Sequence, residues 1–435
     1  MTFSEKPLHT FPDHALRARV IQTPVTPAPT HLDLPNRSRL LSLPAPPSCR
    51  LPVAGSVKRM NKQEQRGNEV EDSMKIQQIK VNFVRLPPEE PLVGAPYMIG
   101  MMCEFFTVQV QTDEGIEGIG VTAFGGKLVR SLRAALEEFG ELIRGDDPLR
   151  VEQLTAKLRA ASASCGSGIA MLAISAIDTA LWDIRGKAFG IPLAQLLGGA
   201  RDKVPAYASG ALSRTTPTDK LQRAAAALVE KGYRQVKTQM AVEGLTPAQE
   251  IERIRLVRDA VGPDVNLMAD INQRWSVAEV ISIGHRIEEL GLGWLEDPTT
   301  CDDHQGHARI ADALATPICA GEYLWGIEPH HQAMAHHASD ITMIDLLRVG
   351  GVTQWMKVAG MAEAFNRPVA SHLLPEIHVH LVAAVPNGLV VEYMPWTWRL
   401  FEDPPMPVNG EIAVPSGPGL GLKFASGLFE KYGVS

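Results

Sequence analysis

Asp270 in LMADIN, Glu296 in WLEDP and Glu322 in ICAGE each close a short apolar run followed by a turn or a helix start. They are 26 residues apart from 270 to 296 and again from 296 to 322, the length of one strand, loop and helix. In an α/β barrel the C-terminal ends of parallel strands converge on one face, so these three carboxylates would meet around a common point. Three hard oxygen donors there suit Mg²⁺, with Mn²⁺ able to substitute, and leave coordination positions for substrate or water. A carboxylate before a helix is also a good N-cap, which explains one such acid but not its recurrence on successive strands.

The neighbouring strand ends carry a second set. Lys237 and Gln239 in QVKTQ point to the same side of an extended strand, Asp345 follows ITMI, His372 ends PVASH and Glu392 lies in LVVEYM. A histidine and an aspartate at adjacent strand ends pair, the carboxylate fixing the imidazole tautomer and raising its basicity. These parts suit removal of a proton α to a carboxylate. The resulting enediolate gains a second negative charge, which a divalent cation on the substrate oxygens stabilises. His372 is then the base and Lys237 pairs with the substrate carboxylate. Asn272, Gln239 and Arg348 contact the rest of the substrate, Asn272 through a hydroxyl and Arg348 through a distal carboxylate, while Glu392 shares a proton with a carboxylate oxygen.

The elements that must position these side chains follow from the pattern after Gly199. Strands are expected at 204–210, 235–239, 265–272, 293–298, 317–322, 341–347, 368–372 and 389–394, with helical stretches such as DKLQRAAAALVEK and AQEIERIRLVRDAV between them. Eight parallel strands with crossovers make a closed barrel, so residues 201–395 read as the catalytic domain. Residues 74–200 read as an α+β domain: alternation at Phe106, Val108 and Val110, a turn at 113–115 and IEGIGV give an antiparallel meander. The run 169–192 is apolar on nearly every face and predicts a buried helix, in which Asp178 and Asp183 are partnered structural acids. Residues 396–435 are expected to pack back on that first domain. Residues 1–73 are rich in proline and basic residues without sustained periodicity and read as a disordered extension.

Composition excludes several classes. The 435 residues carry a net charge of −7, which points to neither nucleic acid nor a membrane surface. Five scattered cysteines without a CxxC pair read as reduced thiols in a cytoplasmic protein, Cys319 lying beside the acids. The histidines of HHQAMAHH (330–337) have no interleaved carboxylate and read as a solvated helix, and RVGGV (348–352) as a tight turn.

From about Met74 to Lys423 the chain resembles the enolase superfamily, mandelate racemase subgroup. The residues that carry the likeness are AIDTALWDIRGKAFGIPLAQLLGG, VKTQ, MADINQ, WLEDP, the Gly321-Glu322 pair, DLLRVGGVT, SHLLPEIHVHL and VVEYM. The resemblance implies a modified TIM (β/α)7β-type barrel with an N-terminal α+β capping domain. It also implies a Mg²⁺ site of Asp270, Glu296 and Glu322, a His372–Asp345 dyad, an electrophilic Glu392, and closure over substrate by residues around Pro91 to Met102.

One position departs from the subgroup. Its usual Lys-x-Lys places a second base where this chain has Gln239, which takes no proton at neutral pH. A single base on the His372 face fits dehydration of a sugar acid, where imidazole removes the α-proton and imidazolium then protonates the leaving β-hydroxyl. The expected partner is therefore a small-molecule carboxylate, a sugar acid, and the enzyme is expected to assemble as a homo-oligomer. An epimerase or lactone cycloisomerase of the same subgroup is the alternative, and a catalytically silent barrel the reading outside enzymes. The full set of acids, dyad and Lys237 argues against the last. A Schiff-base role for Lys237 is disfavoured because neighbouring carboxylates keep the amine charged.

Overall fold

In the computed structural model, residues 73–87, 103–164 and 166–434 are described. The expectations for the N-terminal extension, Ser73 apart, and for closure by residues 91–102 lie outside them. Strands β1 (Ile76–Leu86), β2 (Cys103–Thr112) and β3 (Glu117–Thr122) form an antiparallel sheet in that order, with Gly115 in a left-handed conformation at the turn between β2 and β3. Helices α1 (Val129–Ile143) and α3 (Ile169–Phe189) pack beside it, α1 through Leu132, Leu136 and Ile143 spaced along one face, and α2 (Val151–Ala161) packs on α3. Helix α3 lies so close to β3 that a Cβ at Gly118 would sit 2.1 Å from the Ala180 carbonyl oxygen, and one at Gly120 1.9 Å from that of Ala176. Glycine is required there because its partner is helix backbone, which cannot rotate away.

Helix α3 is buried through most of its length, and Gly190 ends it in the left-handed conformation. Its two acids are buried and partnered, as expected of structural residues. Asp178 accepts from Thr155 Oγ1 at 2.7 Å and Thr353 N at 2.9 Å. Asp183 accepts from Ile119 N at 2.9 Å, Leu420 N at 2.8 Å and Lys187 Nζ at 2.7 Å, so one carboxylate joins the sheet, the helix and the C-terminal segment.

The barrel strands are β4 (Lys203–Leu212), β5 (Gln235–Gln239), β6 (Asn266–Asp270), β7 (Leu295–Glu296), β8 (Ile318–Ala320), β9 (Ile341–Asp345), β10 (Val369–His372) and β11 (Gly388–Tyr393). They are parallel, neighbours follow chain order, and pairing of Glu392 with Tyr207 closes the ring between β11 and β4. This is the closed α/β barrel with an antiparallel capping sheet that the sequence predicts. Tyr207, Met268, Trp294, Cys319, Met343, Ala370 and Val390 fill the interior as one apolar cluster, and a larger core packs strands against helices. Capping boxes at Thr246/Gln249 and Ser276/Glu279 start two of the crossover helices. Beyond the barrel, β12 (Glu411–Ala413) pairs antiparallel with β4, and Val434 N donates to Phe83 O at 2.8 Å.

Several local expectations change, among them that the strands expected at 265–272 and 293–298 shorten to Asn266–Asp270 and Leu295–Glu296. The strand expected at 317–322 stops at Ala320, because Gly321 takes φ +135° and carries the chain past Met343, whose carbonyl oxygen leaves no room for a Cβ. The strand expected at 341–347 stops at Asp345, whose side chain caps a helical turn by accepting from Arg348 N at 2.6 Å. The helix Glu328–Ala335 is not solvated all round: His330 and Met334, four residues apart, are buried, and His330 Nδ1 lies 2.7 Å from Gly326 O.

Candidate active site

Strand register assembles the site at the C-terminal face of the barrel. Gln239 pairs with Asp270, Asp270 with Glu296, and His372 with Asp345. Glu322 reaches the same face from the loop two residues after β8. A cavity of about 500 Å³ contains Lys237, Gln239, Asp270, Asn272, Glu322, Arg348, His372 and Glu392 among its walls. Asp345 lies behind His372, and Glu296 behind Lys237. Phe124, just after β3, reaches across from the capping domain to stack on His372 with ring centroids 6.3 Å apart. The backbone here is strained where it must turn: Asn272, Leu373 and Leu374 have φ of +48°, +55° and +42°, of order 1–3 kcal/mol each for such residues. The turn at Leu373 aims its N–H at Glu392 Oε2, 2.8 Å away.

His372 and Asp345 form a dyad, Nδ1 to Oδ2 at 2.6 Å, while His372 Nε2 lies 3.3 Å from Glu322 Oε2. Burial favours neutral imidazole, but Glu322, the Asp345 hydrogen bond and Glu392 outweigh it and hold the ring at about 9. Burial likewise opposes the charge on Asp345, yet His372 and Arg348 keep its carboxyl below its ordinary value. Lys237, 4% exposed, donates to Glu296 Oε1 and sits 2.8 Å from Glu392 Oε1, with its ammonium 5.3 Å from the Tyr207 ring centroid. Burial would lower its pKa, but Glu296 and Glu392 raise it well above the usual lysine value, so it remains an ammonium. Burial also works against charge on Glu392, and Lys237 with His372 reverses that to leave an ionised carboxylate.

The acids on β6 and β7 and after β8 have the hard-oxygen donor chemistry that suits a divalent cation. Asp270, Glu296 and Glu322 are 2%, 0% and 4% exposed, and buried carboxylates this close together need positive charge or hydrogen bonds to stay ionised. Burial raises the Asp270 and Glu296 carboxyls; Lys237 opposes this, while repulsion within the acid group adds to it. Among the described residues no three His, Cys, Asp or Glu side chains stand preassembled as a metal cage. The donors are engaged locally instead, Glu296 by Lys237 and by Trp294 Nε1 at 2.9 Å, and Glu322 by His372. A cation on Glu322 would offset the largest cause raising His372 and so act to lower it.

Sequence reasoning missed one side of this cavity. Gln239 Oε1 accepts from Arg214 N at 3.3 Å and its Nε2 donates to Asn272 Oδ1 at 3.2 Å. Asn272 Oδ1 also accepts from Arg214 Nη2, and Asn272 Nδ2 donates to Tyr323 OH at 3.4 Å. Arg214 and Arg274 are part of the cavity wall and belong to loops with no periodic signal. Cys319, expected beside the acids, lies within the barrel interior. Cys103, Cys301 and Cys319 are free thiols.

Residues 80–198 match the mandelate racemase/muconate lactonizing enzyme N-terminal domain, and residues 220–427 the enolase C-terminal domain-like family. The chain is 33% identical over 354 residues to the L-talarate/galactarate dehydratase of Salmonella typhimurium strain LT2, covering 80% of this chain and 88% of that protein. It is 30% identical over 353 residues to the 3,6-anhydro-alpha-L-galactonate cycloisomerase of Streptomyces coelicolor, covering 80% and 96%. The crystal structure of the L-talarate dehydratase from Polaromonas sp. JS666, complexed with Mg and L-glucarate, superposes with a TM-score of 0.77 at 33% identity, covering 83% of this chain and 98% of that one. With both domains matched in order and most of each relative covered, the chain belongs to the mandelate racemase/muconate lactonizing enzyme family of the enolase superfamily.

Proposed function

We propose that this protein is a Mg²⁺-dependent dehydratase of an acid sugar, forming a 2-keto-3-deoxy acid by α-proton removal and loss of the β-hydroxyl. The observation that carries the reading is the asymmetry of the cavity. The His372–Asp345 dyad stands on one side, and on the other Gln239 has both ends of its amide in hydrogen bonds and takes no proton.

Asp270, Glu296 and Glu322 would hold the cation, which would supply positive charge to the carboxylate oxygens as the enediolate develops. Lys237 adds a second positive charge beside them. Asp345 holds the His372 Nδ1 proton, which leaves Nε2 to take the α-proton. The same imidazolium then has the proton that the departing β-hydroxyl requires, so one residue serves both steps. Glu392, ionised beside Lys237, is better suited to orient that ammonium than to deliver a proton. Asn272 and Gln239 border the substrate hydroxyls.

Incubation with a panel of acid sugars and Mg²⁺, read as keto-acid formation, tests the proposal; no keto acid from any of them would refute it. The similarity to a cycloisomerase supports a second reading, in which the α-proton is abstracted and returned without loss of water. Isotope exchange at Cα without keto acid would favour it. Assembly into a homo-oligomer and a cytoplasmic setting complete the proposal. Among the described residues, no helix is long and apolar enough to cross a membrane.

A further inference from the structure

The cavity is lined both by the carboxylates Asp270, Glu322 and Glu392 and by the guanidiniums of Arg214, Arg274 and Arg348. These three guanidiniums are not equivalent. Arg348 is already engaged, 4.2 Å from the Phe124 ring centroid and 4.9 Å from that of Tyr323, donating to Glu322 O at 3.0 Å and lying 3.8 Å from Asp345 Oδ2. Arg214 is half-buried, its Nε is enclosed without a hydrogen-bond partner, and its Nη2 reaches only the neutral Asn272 amide. Among the described residues no carboxylate forms an ion pair with Arg214 or with exposed Arg274. Burial depresses the Arg214 pKa and repulsion from Arg274 adds to this, while Asp270 acts against it.

Gln239 belongs to the same arrangement. Its Oε1 accepts the Arg214 N–H, and its Nε2 shares the Asn272 oxygen that Arg214 also uses. A lysine at 239 would have no acceptor for that N–H and would add a third cation beside two unpaired guanidiniums. The face opposite His372 is therefore organised to hold Arg214 in place.

We propose that Arg214, assisted by Arg274, binds a second carboxylate at the far end of the substrate, so that the enzyme selects dicarboxylic over monocarboxylic sugar acids. The planar guanidinium matches a carboxylate by paired N–H donors, and the partly buried setting strengthens that contact over one in water. Which end of the substrate reacts rests on the dehydratase reading; the preference for two carboxylates does not.

The test uses matched pairs that differ only at the terminal carbon, galactarate with galactonate and glucarate with gluconate. Turnover and Kd are measured on the full chain with Mg²⁺ for wild type, Arg214→Gln and Arg274→Gln. Wild type is expected to favour the diacid of at least one pair by about ten-fold or more in kcat/KM and in Kd. Arg214→Gln should reduce that ratio about ten-fold or more, and Arg274→Gln by less, because its side chain is exposed. Equal or better handling of the monoacids by wild type, or an unchanged ratio in both variants, would overturn the inference. If no sugar is dehydrated, the dehydratase reading fails for these compounds and the Kd ratios still decide the subsite. Should Arg214→Gln not fold, the wild-type ratios and Arg274→Gln decide it in the same way.

Discussion

Replacing Asp183 by Asn tests the packing that joins the capping sheet, helix α3 and the C-terminal segment. Asp183 Oδ2 accepts from Ile119 N and Lys187 Nζ, and Oδ1 from Leu420 N. An amide has one oxygen, so in either orientation its NH₂ faces at least one of these donors. The loss is at least one bond to a charged acceptor, about 1.5–3 kcal/mol, together with a buried N–H left unsatisfied at about 1–3 kcal/mol. Part is recovered, because burial holds the Asp183 carboxyl above its ordinary pKa despite Lys187 and the hydrogen bonds, and a neutral amide avoids that cost. A net destabilisation of about 3 kcal/mol follows. With about 2.1 cal/mol/K per residue over roughly 350 folded residues, the unfolding entropy is about 0.7 kcal/mol/K, and Tm should fall by about 4 °C. Differential scanning calorimetry at several scan rates reads this directly. A shift below about 1 °C, against the 4 °C expected from that entropy, would refute the assignment of Asp183 as a junction.

Burial holds His330, His378 and His380 neutral, at about 4 each. A lowered histidine pKa contributes stability that is present above about 6.5 and lost as pH falls toward 4, about 3 kcal/mol per residue. His380 accepts Ala194 N at 3.3 Å and contacts Leu420 O at 3.0 Å, so His380→Gln, able to keep both contacts, should flatten the loss of stability between pH 7 and 5; an unchanged slope in urea titrations would count against this. Gly120→Ala drives a Cβ into the Ala176 carbonyl and should lower Tm by several degrees or abolish soluble expression, whereas a wild-type melt would show the sheet is free to move off α3. Asp270→Asn, Glu296→Gln and Glu322→Gln should each abolish turnover with folding retained by circular dichroism, and full activity of wild type in excess chelator would defeat the metal assignment.

Legibility in the sequence followed distance along the chain. The acids could be read because a strand, loop and helix have a characteristic length, so equal spacing places Asp270 and Glu296 at adjacent strand ends. The His372–Asp345 pair was legible for the same reason, since parallel register sets them side by side. Glu322 was found although the strand stops at Ala320, because the Gly321 turn still delivers it to the same face. Arg214 and Arg274 were not legible: they lie in loops, and only the closed ring brings them beside Gln239 and Asn272. His330 was legible in principle, since the spacing to Met334 marks one helix face, but the run of polar histidines masked that period. Phe124 reaches His372 from another domain, a contact that no local pattern encodes.

The central claim, that His372 is the only base acting at Cα, is tested most directly by a partial reaction in D₂O with Mg²⁺ and a turned-over acid sugar. NMR of the recovered substrate and product reads the configuration and deuterium content at Cα. The account predicts keto acid from wild type, recovered substrate of unchanged configuration, and neither exchange nor product from His372→Asn. Formation of the Cα epimer by wild type at a rate comparable to turnover would contradict it, because a proton would then be passing on the face that Gln239 occupies.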